Sequence, residues 1–187
     1  MPHSLTPLRI SDDLTRRRHA EAIRALIDGE VRFEKHDRML YATDASIYQV
    51  EPIGVVIPAH EEDLTRVVQY CRENGLPILP RGGGTSLAGQ WANHAVVIDL
   101  SAHFTDLEWV VEKTRACGVR PGITIDDLND QLRAGGHGLF FAPDPATARQ
   151  CNIGGAIGNN AAGTRSIRYG RTAENLEAVT VLLASGE

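Results

Sequence analysis

Residues 80–90 read Pro-Arg-Gly-Gly-Gly-Thr-Ser-Leu-Ala-Gly-Gln, and their types suit one chemistry, the holding of an anion by backbone amides. Successive glycines, Gly82, Gly83 and Gly84, let consecutive N–H groups converge on one charge. Thr85 and Ser86 add hydroxyl donors and Arg81 a cation, the set a pyrophosphate requires. Two better-known phosphate motifs fail. Gly84 and Gly89 have P-loop spacing, but Gln90-Trp91 stands where that loop needs Lys followed by Ser or Thr. A dinucleotide fingerprint wants glycine at Leu87 and a helix after it, whereas Trp91 to His94 leads into a strand pattern. As a bare link between strands the loop would be expensive to order, because glycine loses the most backbone freedom on folding.

A second segment is poor in side chains. Pro143-Asp144-Pro145 precedes residues 146–163, in which Gly154, Gly155, Gly158 and Gly163 stand among alanines. Such a stretch can lie flat against a large planar or phosphorylated ligand, and Asn159 and Asn160 supply uncharged donors and acceptors. Taken alone, it also reads as a close-packed Gly/Ala helix and turn.

Together the segments are more specific. Arg81-Gly82-Gly83-Gly84-Thr85-Ser86, then about 70 residues later Cys151-Asn152-Ile153-Gly154-Gly155-Ala156-Ile157-Gly158-Asn159-Asn160-Ala161-Ala162-Gly163, then Arg168-Tyr169-Gly170, resemble the FAD-binding domain of the vanillyl-alcohol oxidase and p-cresol methylhydroxylase superfamily. More narrowly the pattern is similar to the FAD-linked 2-hydroxyacid dehydrogenases acting on D-lactate, glycolate and D-2-hydroxyglutarate. The likeness covers roughly Thr43 to Glu187.

The resemblance implies an α+β fold with two lobes and the flavin between them. Residues 1–42 would be a helical lead-in and 43–187 the FAD-binding domain, with a first lobe over about 43–101 and the incomplete start of a second over 102–187. By likeness Gly82, Gly83, Gly84, Thr85 and Ser86, with Arg81, wrap the pyrophosphate, and Gln90 and Trp91 lie beside it. Pro143, Asp144, Gly154, Gly155, Gly158, Asn160, Ala161 and Gly163 touch the rest of the FAD. Thr85 stands where relatives that tether flavin carry histidine, so the expected FAD is non-covalent.

The implied activity is oxidation of a 2-hydroxy acid to the 2-oxo acid, with electrons passed to a second acceptor such as an iron–sulfur segment or subunit. Two alternatives share the loop: a flavin-dependent reductase of cell-wall sugar-nucleotide synthesis, and a non-catalytic nucleotide-binding module. In the family the catalytic and metal-binding histidines follow the region matched here. The seven histidines present show no H-x-x-x-H spacing, so no catalytic base and no metal ligand is assigned, and the chain alone is expected to be inactive.

The elements that must position these loops show in the periodicity. Asp12–Asp28 reads as a helix, with Ser11 as its cap and Gly29 as its stop, whereas residues 30–52 have no clear period. Ile53–Ile57 is a strand pattern, Glu61–Asn74 a helix opened by His60 and closed by Gly75, and Leu76–Leu79 a strand, so a parallel β-α-β unit is expected. Ala95–Leu100 is a further strand. Leu107, Trp109 and Val111 alternate toward a hairpin turn at Glu112-Lys113-Thr114, and Thr124-Ile125-Asp126-Asp127 opens a helix that Gly135-Gly136 ends. Leu176–Ala184 reads as the best buried strand of the sequence. It runs into Ser185-Gly186-Glu187, and a sheet would leave its last strand unpaired there, so a piece of a longer polypeptide, truncated at its C-terminus, is expected.

Composition fits this reading. The chain has 187 residues, 42% hydrophobic and 23% charged, enough to bury a core without a metal or disulfide. Cys71, Cys117 and Cys151 form no C-x-x-C and read as buried free thiols. A net charge of -5 and one short basic run, Arg16-Arg17-Arg18, argue against nucleic acid. No apolar run approaches the roughly 20 residues of a transmembrane helix, and a cytoplasmic location is expected, peripheral to the inner membrane through the electron acceptor.

Overall fold

The computed structural model describes residues 12–187, which fall into two compact units. One contains residues up to Pro80 with Ser86–Asp99 and Leu182–Glu187, the other Arg81–Thr85 and Leu100–Val181.

The first unit is built on a four-stranded sheet. Its elements are α1 (Asp13–Arg24), β1 (Glu30–Arg32), α2 (Lys35–Leu40), β2 (Gly54–Ile57), α3 (Glu61–Glu73), β3 (Ile78–Arg81) and β4 (Val96–Asp99). The strand order is β1-β2-β4-β3. β2 pairs parallel with β4, Val55 opposite Val97, and β1 closes the other edge antiparallel. The expected β-α-β unit is therefore corrected in one respect: β2 and β3 are not neighbours, because β4 lies between them. Periodicity shows that a strand exists but not which strand takes its hydrogen bonds. Val55, Ile57 and Val97 pack with Trp91, Tyr41 and Leu79. Of the apolar residues spaced i, i+3, i+4, i+7 along helix α3, Val67, Val68 and Cys71 are buried and Leu64 is half-buried. His60 caps it, with Nδ1 accepting from Asp63 N at 3.3 Å, and Gly75 leaves it at φ +64.

Helix α1 differs from expectation at both ends. Asp12 is its cap, accepting from Thr15 N at 2.8 Å, and the proposed cap Ser11 lies outside the described residues. It stops at Arg24 rather than running to Asp28, because the backbone N–H groups of Asp28 and Gly29 turn to Asp63 at 3.0 and 2.9 Å. Ala59 N adds a third bond to the same carboxylate at 2.9 Å. Burial alone would raise the Asp63 carboxyl, but these amides hold it below the usual value. Arg16 of the basic run is buried against Asp13.

The second unit carries the hairpin β5 (Leu107–Val111) and β6 (Ala116–Val119), with helices α4 (Ile125–Ala134), α5 (Ile153–Asn159) and α6 (Ser166–Tyr169) and a single 3-10 turn at Ala173–Asn175. The hairpin turns where expected, through Arg115 at φ 57. Thr124 caps α4, its Oγ1 accepting from Asp127 N at 3.1 Å. Ile123, Ile125, Leu128 and Leu132 form a core with Cys151, Ile153 and Ala156.

The expectation of a buried strand over Leu176–Ala184 is overturned. No residue of that run is in a strand, and Val179, Val181 and Leu183 are 56%, 57% and 52% exposed. β5 and β6 pair only with each other and the run joins neither, so it has apolar side chains and no ladder. An apolar pattern states what burial would gain and is silent on whether a strand is there to bond the backbone.

Candidate functional site

Within the second unit the two glycine segments meet. β3 delivers Arg81, whose carbonyl accepts from Leu100 N at 3.0 Å, and the chain then runs along Gln150–Asn152. A Cβ on Gly83 would overlap the Gln150 carbonyl oxygen, and one on Gly82 would lie 2.6 Å from Asn152 Oδ1. The chain itself thus demands these two glycines. Arg81 folds back over the loop: its Nε donates to the Gly82 carbonyl at 3.2 Å, and its Nη2 is 2.8 Å from where a Gly84 Cβ would stand. Burial pushes the Cys151 thiol up, with a hydrogen bond to the Thr85 side chain working against it.

Asn152 is the hinge pin of the second segment and was missed from the sequence. Its amide nitrogen donates to the Gly122 carbonyl, and Ile153 N and Gly154 N bond Ile123 O and Pro121 O at 2.9 and 2.8 Å, which seats α5. Asn152 Oδ1 is buried without a hydrogen-bond partner. An Asn immediately before a glycine-rich helix was the available signal.

Along α5 the glycines differ. Gly154 is closed by Pro121, but nothing stands within 4 Å of a Cβ on Gly155 or Gly158. Glycine inside a helix costs about 0.5–1 kcal/mol against alanine, and here no neighbour in the chain requires it. These two positions leave bare backbone for another molecule to approach.

The remaining residues of this segment brace it. Asn160 leaves α5 at φ 47 and accepts from Ala173 N at 3.0 Å. The Ala161 carbonyl accepts from both the backbone and the hydroxyl of Thr172. Gly163 lies against the Asp144 backbone, and Asp144 accepts from Arg165 N at 2.7 Å. Pro143 is buried.

In the first unit Ser86 hydrogen-bonds Asp44, a residue the sequence reading did not single out. Gln90 is exposed, its Oε1 accepting from Ala88 N at 3.2 Å. Trp91 is buried in the core, 6.1 Å from the Tyr41 ring. Burial lifts the Cys71 thiol to about 12, so it is inert. His19, His94 and His137 bond Tyr70, the Glu51 carbonyl and Glu112. Asp28, His60 and Asp63 offer ligand atoms within 4.8 Å of one another, but Asp63 is taken up by its three amides, so this cluster pins a turn. No helix among the described residues is long and apolar enough to cross a membrane.

The two glycine segments are in contact, beside a helix with bare backbone and an orphaned acceptor, and residues 52–187 match the model of the FAD-binding domain family. The chain belongs to that family, and its cofactor is FAD. It is 34% identical over 163 residues to a D-2-hydroxyglutarate dehydrogenase of Haemophilus influenzae, covering 86% of this chain and 16% of that one. A second D-2-hydroxyglutarate dehydrogenase, from Pseudomonas putida, is 35% identical over 85% of this chain and 16% of its own length. The glycolate oxidase subunit GlcD of Bacillus subtilis is 32% identical over 80% of this chain and 32% of its length. The chain thus spans about a sixth of the dehydrogenases it matches. Among solved structures, p-cresol methylhydroxylase with substrate bound superposes with a TM-score of 0.79 at 19% identity, covering 94% of this chain and 35% of that one. The α+β architecture is that of a p-cresol methylhydroxylase-type FAD-binding domain.

Proposed function

We propose that this chain is the FAD-binding portion of a flavin-dependent dehydrogenase that oxidises a 2-hydroxy acid of the D-2-hydroxyglutarate, glycolate or D-lactate class to its 2-oxo acid. The observation that carries the reading is the contact of Gly82 and Gly83 with Gln150–Asn152, next to the bare backbone of Gly155 and Gly158. The relatives carry names from those three substrate classes. When bound, FAD supplies the acceptor for the hydride from C2 of the substrate.

The chain's own part is to bind and orient. Arg81, Gly82, Gly83, Gly84 and Thr85 hold the pyrophosphate through amides, a hydroxyl and one cation. Gly154, Gly155 and Gly158 let the cofactor approach backbone, and Pro143, Asp144, Asn160, Ala161 and Gly163 keep that wall in place. Gln90 and Trp91 belong to the same reading, with Trp91 acting from the core. FAD is held non-covalently, since Thr85 has no nucleophile able to attack a flavin methyl carbon. The electrons leave to a second acceptor, for which an iron–sulfur segment or subunit is one candidate, and the setting is cytoplasmic.

Flavin quantification by absorbance, with a dye-coupled assay on D-2-hydroxyglutarate, glycolate and D-lactate, tests this. The chain should take up FAD, release all of it on acid precipitation, and turn over none of the three acids by itself. Failure to take up FAD at any concentration, or a yellow acid pellet, would sink the corresponding part.

A further inference from the structure

Sequence alone offers Ser86 as a hydroxyl donor to phosphate, but its proton is already placed. Ser86 Oγ donates to Asp44 Oδ2, on a carboxylate that can only accept while ionised. The other oxygen, Oδ1, accepts from Ser46 N at 2.9 Å, and the Trp91 backbone also bonds Asp44. Burial alone would raise this carboxyl; the bonds from Ser46, Ser86 and Trp91 outweigh it and leave it below the usual value. The same strand of chain carries Tyr48, whose N bonds Ser46 Oγ at 3.1 Å and whose ring fills the place a Gly89 Cβ would take. One carboxylate therefore gathers both ends of residues 86–91, and an aromatic ring presses on their middle.

We propose that Asp44 is a positioning residue for the cofactor, which shapes residues 86–91 by taking the Ser86 proton, so that Ser86 offers phosphate no donor. The inference rests on the FAD reading above. An anion near a phosphate-binding loop repels the ligand if charge alone matters. Removing it by Asp44→Asn would then tighten FAD. As a positioning residue it acts with the opposite sign, because asparagine has one acceptor oxygen for bonds that need two.

The test combines amide hydrogen exchange of the cofactor-free chain with FAD titration, for Asp44→Asn, Ser86→Ala, the double variant and Ser86→Thr. Asp44→Asn should speed exchange over residues 86–91 by about tenfold or more while β2 and β4 stay protected. FAD affinity should fall about tenfold, the scale of one lost charge-assisted hydrogen bond. Ser86→Ala should move both readouts in the same direction, the double variant should be no weaker than Asp44→Asn, and Ser86→Thr should restore both. If Asp44→Asn does not fold, the Ser86 pair carries the test. Unchanged exchange at 86–91, unchanged or tighter FAD binding in Asp44→Asn, or weaker binding in Ser86→Ala without faster exchange would each overturn the inference. A wild-type chain that never binds FAD overturns the function reading instead, and the exchange data still decide whether Asp44 holds the loop.

Discussion

At Gly82 and Gly83 a Cβ would collide with Asn152 and Gln150 of the same unit, whereas at Gly155 and Gly158 it would meet nothing within 4 Å. The first pair is constrained by the fold. The second pair costs the chain helix stability and meets no neighbour within it. Gly82 and Gly83 are thus required by the fold, whereas Gly155 and Gly158 are left open by it, and we propose that the open pair faces the ligand. Substitutions in the two pairs should differ in sign on stability while agreeing on cofactor affinity.

The largest effect is expected at Gly83→Val. Overpacking of this kind costs roughly 1–3 kcal/mol or more, and the rigid Gln150 carbonyl puts this site at the upper end. Thermal denaturation should show a lower Tm, and flavin titration no measurable binding. Retention of both would mean the segments do not touch.

Next comes a control that holds a turn by charge instead of glycine. Asp63→Asn leaves backbone donors of Asp28, Gly29 and Ala59 short of acceptors and should cost about 3 kcal/mol, as for hydrogen bonds to a buried ion. Because the folded carboxyl is depressed below 3.8, its contribution is complete above that pH and is lost as pH falls through the lower folded value. Denaturation midpoints measured from pH 7 down to pH 2 should therefore show the wild type converging on the variant only at the acid end.

Smaller, and of opposite sign, is Gly158→Ala. It should raise the stability of the cofactor-free chain by about 0.5–1 kcal/mol and weaken FAD about tenfold; a stabilised variant that binds normally would remove Gly158 from the ligand-facing pair. Arg81→Ala should be mildest, weakening FAD by the order of 1 kcal/mol expected of one partly exposed cation, with titrations at low and high salt converging.

Legibility followed locality. Helix α3 was readable from Leu64 to Cys71 because spacing, His60 and Gly75 all lie within it, and Thr124 announced α4 for the same reason. The anion loop was readable because backbone freedom is written in residue type. Partners distant in sequence were not. Nothing local says that β4 inserts beside β2, that Asp63 ends α1, or that Asp44 reaches Ser86 across 42 residues. Leu176–Ala184 failed for a related reason, since burial of a strand is a property of its neighbours. An Asp-x-Ser pattern at Asp44-Ala45-Ser46, typical of a side chain that bonds a backbone amide two residues on, was the one local trace of the Asp44 arrangement.

The hairpin and the first core each hold one of the chain's two tryptophans. Trp109 on β5 is 51% exposed and lies against Gly118, while Trp91 is 6% exposed among Val55, Ile57 and Val97. The molecule consequently has a built-in optical label in each unit, with different surroundings. In a Trp109→Phe chain the emission of Trp91 should shift strongly to the red as the first unit unfolds, whereas in Trp91→Phe the already solvated indole should shift little. The emission shift then times the melting of the first unit, with the Trp91→Phe chain as its control and without any attached dye.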